Sequence, residues 1–154
     1  ELIRGLQAAH EHSHGVLLAD VLARRPNEVY EGMLTVLMRL VFTLYAEDKG
    51  LLPTTSLYLQ DYGIHGLFER LRTDAARNPD TMDQRYGAWW RLFTLFRMIH
   101  AGSKHPKLHL PARAGYLFDP DRFPWLEGRA TVADEIDAQT IPAVPDGTIH
   151  RVLE

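Results

Sequence analysis

The hydrophobic positions of this chain recur mostly with the period of an α-helix. Between Glu28 and Gly50 the apolar residues step by three or four positions, and from Met33 to Ala46 nearly every side is apolar. A helix of this kind packs in the middle of a core. The run includes Arg39 and is shorter than the roughly 20 apolar residues that a membrane span needs. The pattern therefore predicts a central buried helix whose core face carries Val29, Met33, Leu37, Leu40 and Leu44.

Three other segments share this period. They cover residues 1–24, with Gly15 as a weak point, residues 61–77 and residues 82–101, which end before Gly102. Alternation with a period of two, which would indicate strands, is hard to find over strand length. The sequence therefore predicts an all-α fold, an irregular bundle of about four to six helices.

The chain changes character after Gly102. Residues 104–110 are polar and broken by proline, and residues 115–126 are rich in proline and aromatic residues, which predicts an ordered but irregular loop region. Residues 131–147 hold four acidic residues and no basic one. We expect a helical domain over residues 1–126 and an acidic connector over residues 127–154. The last residues read as the opening of a helix that is cut off, which suggests a piece of a longer protein.

Composition narrows the functional classes. The chain has 154 residues, of which 45% are hydrophobic and 24% charged, as expected for one globular domain. It has no cysteine, which excludes disulfides, thiolate metal sites and cysteine nucleophiles and fits a reducing cytoplasm, the expected location. The formal net charge of −3 excludes a globally basic nucleic-acid binder.

Two short strings imitate catalytic motifs. Residues 10–14 (HEHSH) satisfy the zinc-protease pattern H-E-x-x-H, but no third ligand is identifiable, and a solvated helix turn is the preferred interpretation. Pro120-Asp121 with Glu127-Gly128-Arg129, and also Glu47-Asp48-Lys49, imitate the acidic and basic groups of PD-(D/E)xK nucleases. Neither string lies on a predicted strand, so surface or structural roles are favoured.

Nucleotide and methyl-donor motifs are absent from the sequence. There is no phosphate-binding P-loop and no glycine-rich strand–helix turn, and Asn78-Pro79-Asp80 differs from the N-P-P-[YFW] tetrapeptide of amino-methyltransferases. We therefore expect no catalytic residue, no metal ligand and no cofactor in these 154 residues.

One window combines basic and aromatic residues. From Gln84 to Phe118 there are six basic residues and no acidic one, interleaved with histidines and aromatic rings. Cations meet phosphates and rings stack on bases, so this composition is typical of a nucleic-acid surface. Arginines six residues apart encircle a helix, so some are expected to lie along apolar neighbours. The candidate contacts are the loop cations Lys104, Lys107 and Arg113, and the helix cations Arg91 and Arg97.

Three stretches together resemble a known family. Residues 39–53 (RLVFTLYAEDKGLLP), residues 89–96 (WWRLFTLF) and residues 115–120 (GYLFDP) resemble, in order and spacing, segments of large N6-adenine DNA methyltransferases. That family includes type IIG restriction–modification enzymes and methylases of phage-defence systems. The resemblance covers roughly residues 29–154.

The resemblance implies a location within such an enzyme. This region would be a helical module upstream of the methyltransferase domain, and the parent chain would transfer a methyl group from S-adenosylmethionine to a flipped-out adenine. The chain would then be a non-catalytic spacer or scaffold, with DNA reached through the parent protein, other domains of the same chain as partners, and no membrane. The alternative is a protein–protein adaptor domain without a nucleic-acid role.

Overall fold

The computed structural model describes residues 1–154 and confirms the all-α prediction of an irregular helical bundle. The only sheet is one antiparallel hairpin that pairs Ser103 with Leu110. The helices are α1 (Leu2–His12), α2 (Ala19–Arg24), α3 (Pro26–Asp48), α4 (Ile64–Arg77), α5 (Ala88–Ala101) and α6 (Asp146–Leu153), and the strands are β1 (Ser103–His105) and β2 (Leu108–Leu110).

Helix α5 lies at the centre of the hydrophobic core. Seven of its fourteen residues are buried, and aromatic rings at positions 89, 93 and 96 pack along one side. The indole N–H of Trp89 donates to the main-chain oxygen of Leu126 at 2.9 Å, which satisfies its one buried polar atom. The helix begins at Ala88, six residues after the predicted start, because Pro79–Gln84 forms a separate 3₁₀ turn.

Helix α3 differs from its prediction in the side that it buries. Leu40 is buried, but Leu37 and Leu44 are exposed, whereas Arg39 and Thr43 face the interior. The buried side is set partly by Gly32, against which the ring of Trp125 packs so closely that a Cβ would collide with it. Helix α3 is therefore a core helix with one open apolar face.

The N-terminal segment forms two helices where one interrupted run was predicted. Helix α1 ends at His12, and the chain then turns through His14 and Gly15, whose φ angles are 54° and 79°. Glycine adopts this left-handed conformation without steric cost, which explains why the expected weak point is a complete break.

Both ends of residues 127–154 pack on the helices, whereas residues 130–140 between them are exposed except for Ile136. Glu127, Arg129, Val144 and Ile149 are all buried, and α6 contacts α1, α4 and α5. The boundary expected at residue 126 does not coincide with a break in packing.

Helix α3 is also the one helix long and apolar enough to cross a membrane by length and composition, with 23 residues and a mean hydropathy of 1.3. A core helix of a soluble protein meets the same test, and 44% of this stretch is buried within the fold. No membrane is evident from the structure.

Candidate nucleic-acid interface

The β1–β2 hairpin projects the two lysines of the predicted basic surface. Lys104 pairs with His109 across the hairpin, and both side chains are exposed, whereas Leu108 and Leu110 are buried beneath them. Lys107 lies in the two-residue turn and is exposed as well. The alternation of Leu108 and Leu110 with a polar residue is the pattern of a short strand with one buried side.

Both hairpin lysines are free of ion pairs. Among the lysines of the chain, only Lys49 forms one, with Asp48 at 3.0 Å. Because no acid lies on the hairpin, the ammonium groups of Lys104 and Lys107 remain available to a phosphate.

Arg113 extends this surface from the segment that follows the hairpin. Its main-chain N–H donates to Ile99 at the end of α5, and its guanidinium donates to the main-chain oxygen of Leu51 at 3.0 Å. A carbonyl partner leaves the positive charge uncompensated, and the residue is exposed. We call Lys104, Lys107, His109 and Arg113 the hairpin surface.

Arg91 is bound within the fold. It donates to the main-chain oxygen of Gln60 at 2.6 Å, and its Nε atom is buried with no hydrogen-bond partner. Burial lowers its pKa, because the charged guanidinium loses water there. Its role is therefore to tie α5 to the turn before α4.

Arg97 is committed to a buried carboxylate. It forms a two-pronged ion pair with Glu127, with both N–O distances at 2.6 Å, and Glu127 is only 2% exposed. The hydrogen bonds to Glu127 raise the pKa of Arg97. A buried arginine, Arg129, donates to the same carboxylate at 3.1 Å and also binds Asp121. Two cations and two carboxylates therefore neutralise one another.

Two arginines of the acid-free window are paired with acids from outside it. Arg85 pairs with Asp74 on α4, and Arg97 pairs with Glu127. Of the five sequence-predicted contact residues, Lys104, Lys107 and Arg113 are exposed on the hairpin and on the segment that follows it, whereas Arg91 and Arg97 are used within the fold.

A buried arginine joins the three stretches that carry the family resemblance. Arg39, which is 2% exposed, donates to the main-chain oxygens of Leu117 and Asp119 at 2.7 and 2.9 Å. Its guanidinium lies 5.7 Å from the centre of the Phe96 ring, and Phe96 contacts Phe118. Burial and the nearby Arg122 lower the pKa of Arg39 to about 10.

Glu47 also has a structural role. Its carboxylate accepts hydrogen bonds from the Tyr58 hydroxyl at 2.9 Å and from the main-chain N–H groups of Ile64 and His65 at 2.8 and 3.2 Å. A carboxylate at a helix N-terminus satisfies free N–H groups and complements the helix dipole. Glu47 therefore caps α4 from the end of α3.

The residues of the strings that imitate catalytic motifs do not form a catalytic site in the folded chain. His10 lies on α1 and its Nδ1 accepts the N–H of Leu18, whereas His14 lies past the helix end. The two histidines therefore share no helical face. Asp121 and Glu127 are both bound to Arg129. No group of three or more His, Asp or Glu side chains is placed to hold a metal ion.

A cavity lies elsewhere, between α2, the start of α3 and residues 121–143. It has a volume of about 920 Å³, and its walls carry charges of both signs, including Arg25 with its partner Glu28 and Arg129 with its partner Asp121. Asp20, Arg24 and Arg122 also line it, so unpaired charges of both signs face the cavity and it favours neither an anion nor a cation. Nothing in the sequence pattern had indicated it.

Comparison with protein-family models, with curated proteins and with solved structures finds no match for this chain.

Proposed function

We propose that this chain is a non-catalytic helical spacer or scaffold domain of an N6-adenine DNA methyltransferase or restriction–modification enzyme. The parent protein would act in the cytoplasm and would bind S-adenosylmethionine in a separate methyltransferase domain. This domain would hold the other domains in register and contact the DNA backbone through the hairpin surface.

The observation that carries the proposal is the convergence of the three resembling stretches on Arg39. Residues far apart in sequence, in α3, in α5 and in the loop at 115–120, meet through two hydrogen bonds and two aromatic contacts. The three stretches form one packing unit around Arg39, which supports interpreting the likeness to the methyltransferase region as that of a single module.

The hairpin surface supports the DNA-backbone role. Lys104 and Lys107 project from the hairpin strand and its two-residue turn, and Arg113 lies on the segment that leaves the hairpin. Phosphate contacts of this kind position a protein on DNA without reading sequence. A spacer domain that lies along DNA needs only such contacts with the DNA backbone.

Two binding measurements test the proposal. Calorimetry should detect no binding of S-adenosylmethionine to the chain, since the donor site belongs to the parent. Fluorescence anisotropy with two unrelated duplexes should give equal and weak affinities, in the non-specific range of about 10⁻⁴–10⁻⁶ M. Micromolar binding of S-adenosylmethionine, or a preference of more than about tenfold between duplexes, would contradict the spacer role.

A second candidate is a protein–protein adaptor without a nucleic-acid role. The observation in its favour is the open face of α3, where large apolar side chains such as Val41 (64% exposed) meet solvent. The two candidates differ in the duplex experiment, because an adaptor would bind no DNA even at low salt.

A further inference from the structure

Helix α3 presents a continuous apolar face to solvent. Eight large hydrophobic residues on it are between 41% and 65% exposed, and beyond the first two turns of the helix the only exposed charged residue is Asp48, at its end. Monomeric proteins rarely expose contiguous apolar patches of more than a few hundred Å². The eight residues are Tyr30, Leu34, Leu37, Met38, Val41, Phe42, Leu44 and Tyr45.

The spacing along this face is that of a helix–helix seam. Tyr30, Leu34, Leu37, Val41 and Leu44 are separated by four, three, four and three residues. This is the heptad spacing that keeps an apolar stripe in contact with a second helix. We call these five residues the α3 seam. No helix of the fold covers it.

The exposed area suits a second copy of the chain. Weighted by their exposed fractions, the eight side chains offer roughly 800 Å², which is about what each partner contributes to a standard interface. A two-fold dimer uses the same patch on both copies, so one such face is sufficient.

The charges at the helix ends favour an antiparallel arrangement. A parallel pair would place Asp48 against its own copy at a seam position, and Glu31 against its own copy beside the seam, which is destabilising. An antiparallel pair separates each Asp48 and each Glu31 from its own copy. It also places a carboxylate near the positive end of the partner helix dipole.

We propose that α3 forms the interface of a symmetric homodimer, in which the α3 seams of two copies pack antiparallel. A groove of about 390 Å³, lined by Tyr30, Leu34 and Leu37 among others, lies along the first half of the seam and receives Leu44 of the second copy. In an antiparallel pair centred near Leu37, position 44 of one helix lies beside position 30 of the other.

Sedimentation velocity tests the assembly. At micromolar concentrations the protein should sediment as a dimer, with twice the 17.6 kDa mass of one chain. Val41→Glu should give a folded monomer, because its side chain is 64% exposed and faces the seam. The matched control Val132→Glu, at a residue 55% exposed outside α3, should remain a dimer. Leu44→Ala should weaken dimerisation at least tenfold.

Single cysteines test the orientation, since the chain has none of its own. Disulfides require Cα atoms within about 7 Å. Under oxidation, Leu37→Cys should cross-link to its own copy, whereas Tyr30→Cys and Leu44→Cys should do so only when the two variants are mixed. A chain that remains a monomer at every concentration tested, or a Val41→Glu variant that remains a dimer, would overturn the proposal. Cross-linking of Tyr30→Cys alone would overturn the antiparallel arrangement.

Discussion

Arg39 on α3 and Asp119 in the C-terminal loop region are joined by a hydrogen bond of 2.9 Å across 80 residues of sequence. A second bond, from Arg39 to the main-chain oxygen of Leu117, holds the same loop at 2.7 Å. The guanidinium therefore fixes an irregular segment that has no strand or helix partner of its own. An arginine in the middle of an apolar run is explained by the two carbonyls that it satisfies.

Removing this guanidinium should destabilise the fold. In Arg39→Met the stem keeps its packing, but the oxygens of Leu117 and Asp119 lose a charged donor. Hydrogen bonds to charged groups are each worth about 1.5–3 kcal/mol, so the free energy of unfolding should fall by about 3 kcal/mol or more. Urea denaturation measures the loss, and amide exchange should accelerate in residues 115–120. Arg4→Met, at an exposed arginine, should change the stability by less than about 0.5 kcal/mol. Equal effects of the two variants would contradict the anchoring role.

The buried Tyr58 should make the fold sensitive to alkaline pH. Burial and the neighbouring Glu47 raise the pKa of its hydroxyl above the ordinary value of 10.0. Above pH 10 the unfolded chain therefore loses a proton that the folded chain keeps, and stability falls by about 1.4 kcal/mol per pH unit. The stabilisation that the protonated Tyr58 provides is fully present below pH 10 and is lost as the pH rises above that value.

Arg39 acts in the opposite direction in that pH range. Its pKa is lowered to about 10 from 12.5, so between those values the unfolded chain binds more protons and stability rises with pH. Comparison of the wild-type chain with Tyr58→Phe cancels this contribution, since both contain Arg39. The wild type should lose stability more steeply than Tyr58→Phe between pH 9 and 11 in denaturation curves. Parallel curves would show that Tyr58 ionises equally in both states.

Two leucines of α3 should respond differently to truncation. Leu40 is 5% exposed and Leu44 is 43% exposed. Leu40→Ala should cost about 2–5 kcal/mol, as expected for a buried leucine, whereas Leu44→Ala should cost less than about 1 kcal/mol in the monomer. Chemical denaturation at a concentration below that of any self-association measures both. A larger loss for Leu44→Ala would place the other side of α3 in the core.

Arg97 should behave as a structural residue. Arg97→Ala leaves the carboxylate of Glu127 buried with Arg129 as its remaining cation, which should cost about 3 kcal/mol of stability. The double variant Arg97→Met with Glu127→Leu removes both charges and should recover part of that loss. Lys104→Ala, at an exposed and unpaired lysine, should leave stability unchanged. Thermal unfolding of the three variants distinguishes a structural arginine from a free surface cation.

The sequence predicted the helices better than it predicted their faces. Periodicity located α3, α4 and α5 because each keeps a period of about 3.6 over three or more turns. It could not orient α3, because apolar residues occupy both sides of that helix. The polar residues Thr35, Arg39 and Thr43 turn inward, and Arg39 does so because the loop offers partners that no local pattern reveals.

The sequence predicted which residue types make up the candidate site, but not which of them are paired within the fold. The basic window identified all five candidate cations, but Arg97 has its partner Glu127 thirty residues away, and Arg91 has its partner at Gln60. Such pairings arise from tertiary packing and leave no trace in spacing. The hairpin that carries Lys104 and Lys107 was missed because its strands are three residues long, below the length at which alternation is distinguishable.

The salt dependence of duplex binding tests the central claim, that this domain contacts the DNA backbone through the hairpin surface, most directly. The triple variant Lys104→Ala, Lys107→Ala and Arg113→Ala should bind any duplex more weakly. Its log–log salt slope should fall by about 0.9 for each phosphate that the variant no longer neutralises. A control that removes three exposed arginines of equal total charge elsewhere, at Arg4, Arg72 and Arg77, should keep the wild-type slope. A triple variant with the same affinity and slope as the wild type would contradict the claim.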